Sequence, residues 1–406
     1  MSITVLQTPN DIVSGFNPQM YVASSTQTAQ TNFRFFTKIK DASGNTIAEF
    51  RNIPHPTYDT LIFDPQRTIE NYLSYDLDNL IGLLYGFKTG VNVFKYYTLV
   101  IQEEYSVSGV ISGYASATTS AKYPVNAAID YEDFVVNNLG NRIALNSTRK
   151  FSTNQPLRIK LKSTDSYELG IIQSTTNSVK YIKIETYGVN GLIQTATINN
   201  TFLDVTTPAN RFLSILCGAS DLNNSTLTTG TLPLITDSVI YYRVAMFNSI
   251  NVQSTEWKEF EIDRKCTRES EYQRLFFLNQ IGRFDAFNFT CVSEDNIEIE
   301  KSTYKKLLGV IDPVGFTFLS SQRESSVFYS KSIQRYKLKS DYIDTETAYW
   351  LKELHQSPLV YWYTGGKFIP VVIETNSYQA KKTIQNKLIQ VELTIKMSVD
   401  TQRQRL

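Results

Sequence analysis

The chain has 406 residues, of which 42% are hydrophobic and 19% charged, and it carries 25 Tyr and 23 Phe; 40 Lys plus Arg stand against 39 Asp plus Glu, a net charge of +1. That length predicts two or three domains, each with its own core. A near-neutral balance excludes a global field that would draw in nucleic acid or an anionic membrane.

Tyr, Phe, Thr, Val and Ile interspersed with Asn, Ser and Gly predict short strands joined by turns, hence a mainly β fold. The first block, up to about Tyr75, places "FRFFTKIK" and "TIAEFRNI" on either side of "DASGN", whose Asp41, Gly44 and Asn45 suit a hairpin turn with positive φ. A short helix follows, with Asp64 as N-cap and Pro65 at its first position. "VFKYYTLVIQEEYSVSGVISGYAS" supplies a strand and then a Gly/Ser-rich stretch, read as a mobile loop or β-arm over 106–120. From about Asn154, "LRIKLKS" and "YIKIETYGVNGLIQTATI" alternate: Ile182, Ile184 and Thr186 face one way, Lys183 and Glu185 the other, and Asn190-Gly191 marks a two-residue hairpin. "SVIYYRVAMFNSINVQSTEWKEFEI" adds two strands.

Past Arg264, "RLFFLN", "AFNFTCV" and "SVFYSKSIQRYKLKS" read as strands. One helix follows, "DTETAYWLKELHQS", N-capped by Asp344 or Thr345, with Trp350, Leu351 and Leu354 on one face and Ser357-Pro358 as its stop. "PLVYWYT" and "KFIPVVIET" flank a Gly365-Gly366 turn. In "NKLIQVELTIKMSVD", Ile389, Val391, Leu393, Ile395 and Met397 share the buried face. The expected architecture is two β-sandwich-like units followed by a β-rich α+β domain with one clear helix. The expected boundaries are 1–125 (with the arm at 106–120), 126–262 (fibronectin-like) and 263–406 (adaptor-like).

No residue pattern predicts catalysis. The chain has two histidines. His55 lies between Pro54 and Pro56, and His355 sits in the last turn of the helix, where its charge suits the dipole. Neither has a GxSxG elbow for company. Gly365-Gly366-Lys367 lacks the remainder of a phosphate loop. The acids Glu294, Asp295, Glu298 and Glu300 lack calcium-loop spacing, and "KSTYKK" mixes its charges with acidic neighbours rather than forming a nucleic-acid stripe. Cys217, Cys266 and Cys291 contain no CxxC pair, which predicts neither a zinc site nor a disulfide framework and suits a reducing compartment. The N-terminus shows no basic region followed by an apolar one, and no run reaches the length of a membrane span. Asn146-Ser147-Thr148 is read as a chance sequon. No cofactor, metal, direct nucleic-acid contact or membrane insertion is expected.

Three elements carry a resemblance: Phe33-Arg34-Phe35; Phe63-Asp64 with Asn71-Tyr72; and "FLNQIGRFDAFNF", with Phe277, Leu278, Asn279, Gly282, Asp285, Phe287 and Phe289. In order and character they resemble virion structural proteins of tailed phages and prophages of Bacteroidota-type bacteria, and they touch about a fifth of the chain. The resemblance implies a non-enzymatic tail, tail-tip, baseplate or neck component. Such a protein is made in the host cytoplasm, forms a homo-oligomeric ring of six or twelve copies, and joins other tail or neck proteins. The C-terminal helix-then-strands unit also resembles, in topology, adaptor domains of tail-tube and distal-tail proteins.

In the "FLNQIGRFDAFNF" stretch, Asn279 to Arg283 are expected to form a turn with Gly282 at positive φ, Asp285 to cap the turn's N–H groups, and Phe277, Phe287 and Phe289 to plug a core. A second reading is a carbohydrate- or receptor-binding protein stacking sugars on Tyr361, Trp362 and Tyr363. A third, a secreted fibronectin-like adhesin, is disfavoured by the odd cysteine count and the absent signal sequence.

Overall fold

The computed structural model describes residues 2–77, 85–136, 139–143, 148–173, 178–264, 273–291, 294–374 and 389–402. Cys266, Asn146 and the start of the last expected strand lie outside the described residues. With 47% strand and 11% helix the protein is mainly β, in agreement with the composition. It divides into two compact units, Met1–Arg264 with Leu278–Asp285, and Lys265–Phe277 with Ala286–Leu406.

In chain order the first unit holds β1 (Ile3–Gln7), β2 (Ile12–Ser14), β3 (Tyr21–Ser25), β4 (Arg34–Lys40), β5 (Thr46–Asn52), β6 (Thr60–Phe63), β7 (Phe87–Thr89), β8 (Thr98–Val107), β9 (Val110–Thr118), β10 (Tyr123–Val125), β11 (Arg158–Leu161), β12 (Glu168–Ile172), β13 (Tyr181–Gly188), β14 (Gly191–Asn199), β15 (Phe212–Leu216), β16 (Tyr241–Phe247) and β17 (Lys258–Ile262). Two sandwich-like pairs of sheets result. The sheet β5-β4-β8-β9 faces β1-β3-β6 across a core that includes Tyr21, Leu61, Phe35, Ile39, Leu99 and Ile101. The sheet β11-β17-β16-β13-β14 faces β12-β15-β7, with Ile182, Ile184, Val244 and Phe260 meeting Leu169, Ile171, Leu213 and Ile215. Strands such as β13, β16 and β17 bury close to one side chain in two, the period that the sequence shows, whereas β12 and β15 are buried at every position. A third cluster, including Ile12, Phe94, Val125, Phe212 and Ile281, lies beside the parallel pair β2 and β10.

Turn chemistry explains the connections. Asp41 Oδ1 accepts the N–H groups of Ser43 (2.9 Å) and Asn45 (2.8 Å), and Gly44 at φ 83° closes the β4–β5 hairpin. The stretch 106–120 is not a loop but largely the paired hairpin β8–β9. Its two-residue tip, Ser108 (φ 52°) and Gly109 (φ 84°), has the double positive φ that matches strand twist. The β13–β14 connection is Val189–Asn190, with Gly191 (φ 100°) opening β14. The positive φ falls on the one residue there without a Cβ.

The helix expected at Asp64 starts a residue later, at Gln66–Ile69, with Pro65 in the cap position. Asp64 Oδ1 still takes the Gln66 N–H (3.0 Å), and it takes that of Gln19 as well (3.0 Å).

The second unit contains β18 (Gln273–Leu278), β19 (Phe284–Phe289), β20 (Glu294–Lys305), β21 (Val310–Asp312), β22 (Gly315–Thr317), β23 (Ser325–Lys339), β24 (Val360–Thr364), β25 (Lys367–Ile373), β26 (Glu392–Met397) and β27 (Thr401–Gln402). Leu278, Phe284 and Asp285 of the first two strands are counted with the first unit. The sheet order is β19-β18-β24-β25-β26-β23-β20, with β27 on β23 and a separate β21–β22 hairpin. The expected helix runs as two consecutive segments, Thr345–Trp350 and Lys352–Gln356, with Asp344 as N-cap accepting the Thr347 N–H (2.7 Å). Trp350, Leu351 and Leu354 pack with Phe277, Phe289, Leu338, Leu393 and Ile395.

Candidate functional site

The Asn279–Arg283 turn is buried in the first unit. Gly282 sits at φ 79°, and a Cβ there would overlap the backbone carbonyl of Asn126, so the residue is glycine for two independent reasons. The capping role expected of Asp285 belongs to Asn279. Its Oδ1 accepts the N–H groups of Ile281 (2.9 Å) and Arg283 (3.0 Å), and its Nδ2 donates to the Ser152 carbonyl (3.0 Å).

The reason is position: an Asx side chain reaches amides just ahead of it, whereas Asp285 lies past the turn on β19. Asp285 Oδ2 accepts from Thr153 Oγ1 at 2.7 Å. Arg283 lies 3.6 Å from Glu168 and donates to the Leu213 carbonyl at 3.3 Å. Burial raises the Glu168 carboxyl, with Arg283 opposing. In the second unit Phe277 and Phe289 are fully buried and Phe287 is partly so. Apart from the partly buried Phe287, these residues are buried in the turn and the core.

A half-buried arrangement of rings and charges lies on the outer face of β13 and β16. Cross-strand register sets Tyr181 against Phe247, Glu185 against Arg243 and Tyr187 against Tyr241. The ring pairs stack at 5.4 Å and 3° for Tyr181–Phe247 and at 4.7 Å and 4° for Tyr187–Tyr241. Glu185 is gripped by Lys183 (2.7 Å), Arg243 (2.7 Å) and the Tyr187 hydroxyl (2.8 Å).

Arg243 lies 4.4 Å from the ring centre of Trp257 and 5.2 Å from that of Tyr187. Burial alone would raise the Glu185 carboxyl, but the bonds from Lys183, Tyr187 and Arg243 outweigh it and hold it down at about 2. Burial and the bond to that carboxylate push Tyr187 up to about 12. The result is a half-buried plate of rings with its charges held in place by hydrogen bonds. The alternation of Lys183 and Glu185 away from the core is visible in the sequence. Their cross-strand partners are not, since one strand's register on the next leaves no local signature.

Tyr361, Trp362 and Tyr363 are consecutive on β24, so they alternate across the sheet. Trp362 turns to the core side beside Tyr336 (4.8 Å between ring centres), and its Nε1 donates to Gln273 at 2.7 Å. Tyr363 meets Phe276 (5.8 Å) and Phe368 (5.0 Å), edge-on or tilted. Tyr361 also lies edge-on to Phe368. The three rings do not share one platform.

His55 stacks on Tyr58, ring centres 5.1 Å apart, while His355 is half-buried on the last helix. Gly365 and Gly366, both at positive φ, close the β24–β25 hairpin. Cys217 is buried, which pushes its thiol well above the usual range. Among the described residues no group of three His, Cys, Asp or Glu stands close enough together to hold a metal, and no helix is long and apolar enough to cross a membrane.

Strand β20 is exposed along its whole length and ends the large sheet. Beyond it, Leu307, Ile311, Val314 and Phe318 are all exposed. No protein-family model matches the chain, and no curated protein matches it.

Proposed function

We propose that the protein is a non-enzymatic structural component of a tailed-phage virion, from the tail, tail tip, baseplate or neck, that assembles into a ring and joins neighbouring virion proteins. The observation that carries this reading is where the polypeptide spends its strand edges and apolar side chains. Among the described residues, the exposed strand β20 leaves one edge unpaired, and Leu307, Ile311, Val314 and Phe318 beyond it are exposed as well. Such surfaces are costly to leave in water and suit partners that remain bound. The three sequence elements quoted for the resemblance agree with this reading. Sizing the purified full chain by mass photometry, alone and with other tail components, tests it. Rings of six or twelve copies that enter particles are expected; a strict monomer that never enters them refutes it.

A second reading, carbohydrate or receptor binding, draws support from the outer face of β13 and β16, where Trp257, Tyr187 and Arg243 lie within reach of one another. Glycan-array binding lost in Trp257→Ala would favour it. Silence on the array removes it.

A further inference from the structure

We propose that two copies of this chain pair through the free edge of β20, antiparallel about a two-fold axis near Ser302. Among the described residues this exposed strand of a dozen residues pairs on one side only, which makes its other edge a template for another strand, and the charge order on it selects the occupant. Glu294, Asp295, Glu298 and Glu300 fill the first half, while Lys301, Lys305 and Lys306 fill the second. An antiparallel second copy therefore sets the acidic half against the basic half, whereas a parallel one would set like against like.

A two-fold axis perpendicular to the sheet keeps each side chain on its own face, so residues that stand opposite must be an even number apart. Centred on Ser302, this rule places Glu298 opposite Lys306 of the second copy, Glu300 opposite Tyr304, and Ile297 opposite Leu307. No like charges stand opposite one another. Ile297 and Leu307, 55% and 78% exposed in the single chain, would be covered. The strand itself is regular here, because the irregularity in its pairing with β23 skips Phe328 on the partner strand. Pairing over 298–306 adds about nine backbone hydrogen bonds, one per residue. The inference does not rest on the virion reading, since it follows from an edge and its charge order alone.

The test is a charge swap in the full chain. Glu298→Lys with Glu300→Lys makes the paired stretch 298–306 uniformly basic; Lys301→Glu with Lys305→Glu and Lys306→Glu makes it acidic. Arg335, which pairs with Glu298, keeps its bond to Glu374 at 2.6 Å. All five positions are exposed, so both variants should fold, which circular dichroism verifies.

In sedimentation velocity at tens of micromolar the wild type should run as a two-chain species or a multiple of it. Each variant alone should lose that pairing at least tenfold in dissociation constant, and an equimolar mixture of the two should restore it. A monomeric wild type overturns the proposal. So does a wild-type oligomer that neither variant weakens, or a mixture that fails to reassociate. A ring insensitive to both variants sinks this edge contact while leaving the ring reading intact.

Discussion

Replacing Gly282 by alanine isolates what holds the central turn. Two effects act at this position, and a second glycine separates them. Gly44 has almost the same φ, 83° against 79°, but nothing lies within 4 Å of where its Cβ would be. At both sites alanine in the left-handed region costs about 1–2 kcal/mol, offset by about 0.4–1 kcal/mol from the stiffer unfolded chain. Gly44→Ala should therefore cost about 0.5–1 kcal/mol.

At Gly282 the new methyl must also displace the Asn126 backbone, an overpacking term of about 1–3 kcal/mol, for about 2–4 kcal/mol in all. The chain has two units, so a single global unfolding midpoint is the wrong quantity. Native-state hydrogen exchange of peptides from β12 and β15 reads the first unit directly. If Gly282→Ala falls within about 0.5 kcal/mol of Gly44→Ala on that scale, the close approach to Asn126 does not constrain the turn.

The capping assignment predicts a contrast between two neighbours. Asn279→Ala strands the Ile281 and Arg283 amides and the Ser152 carbonyl and should cost about 2–4 kcal/mol, while Asp285→Ala should leave the turn amides protected; hydrogen exchange at Ile281 and Arg283 checks both. Glu185 predicts an acid dependence. Its folded pKa of about 2 lies below the unfolded carboxyl value of about 4.3, so its stabilisation is complete above the latter and drains away as the pH falls toward the former. After allowance for solvent screening of the partly exposed Lys183 and Arg243, about 1–2 kcal/mol is at stake, and Glu185→Gln should flatten the pH dependence of the first unit's stability, read from hydrogen exchange of β13 and β16 peptides corrected for the intrinsic rate, between about pH 5 and pH 2. A variant with the wild-type slope would show that the clamp contributes nothing.

Much of the fold was legible because it rests on short-range rules. The alternation of Ile182, Ile184 and Thr186 becomes a buried face, with all three at 0% exposure. The run Ile389 to Leu393 to Ile395 does likewise, since strand period depends only on the backbone. Turn residues with unusual φ were legible for the same reason, as Gly44, Gly282, Gly365 and Gly366 show. Where the reading missed by a residue, as at Asp64 and Val189–Asn190, adjacent positions competed for one geometric role, and the winner was set by the register of the strands that they join. Strand β7 leaves no signal in the sequence. Three residues, Phe87–Thr89, cannot show a period, and their place beside β15 is fixed by a partner more than a hundred positions away.

The candidate surfaces were less legible, for a reason that the aromatic residues make plain. Tyr242 and Tyr241 are neighbours on one strand. The first is fully buried, with its hydroxyl donating to the Cys217 carbonyl at 2.8 Å; the second lies on the outer face, stacked on Tyr187. Nothing in composition distinguishes them, and only the parity of the strand against a core defined by other strands does. The same parity divides Trp362 from Tyr361 and Tyr363 and so removes a shared platform. Charge order along an edge escapes this limit: "EDNIEIEKSTYKK" keeps its acidic and basic halves whichever way its side chains point. That property is why the edge of β20, rather than any ring, is the feature from which a partner can be derived.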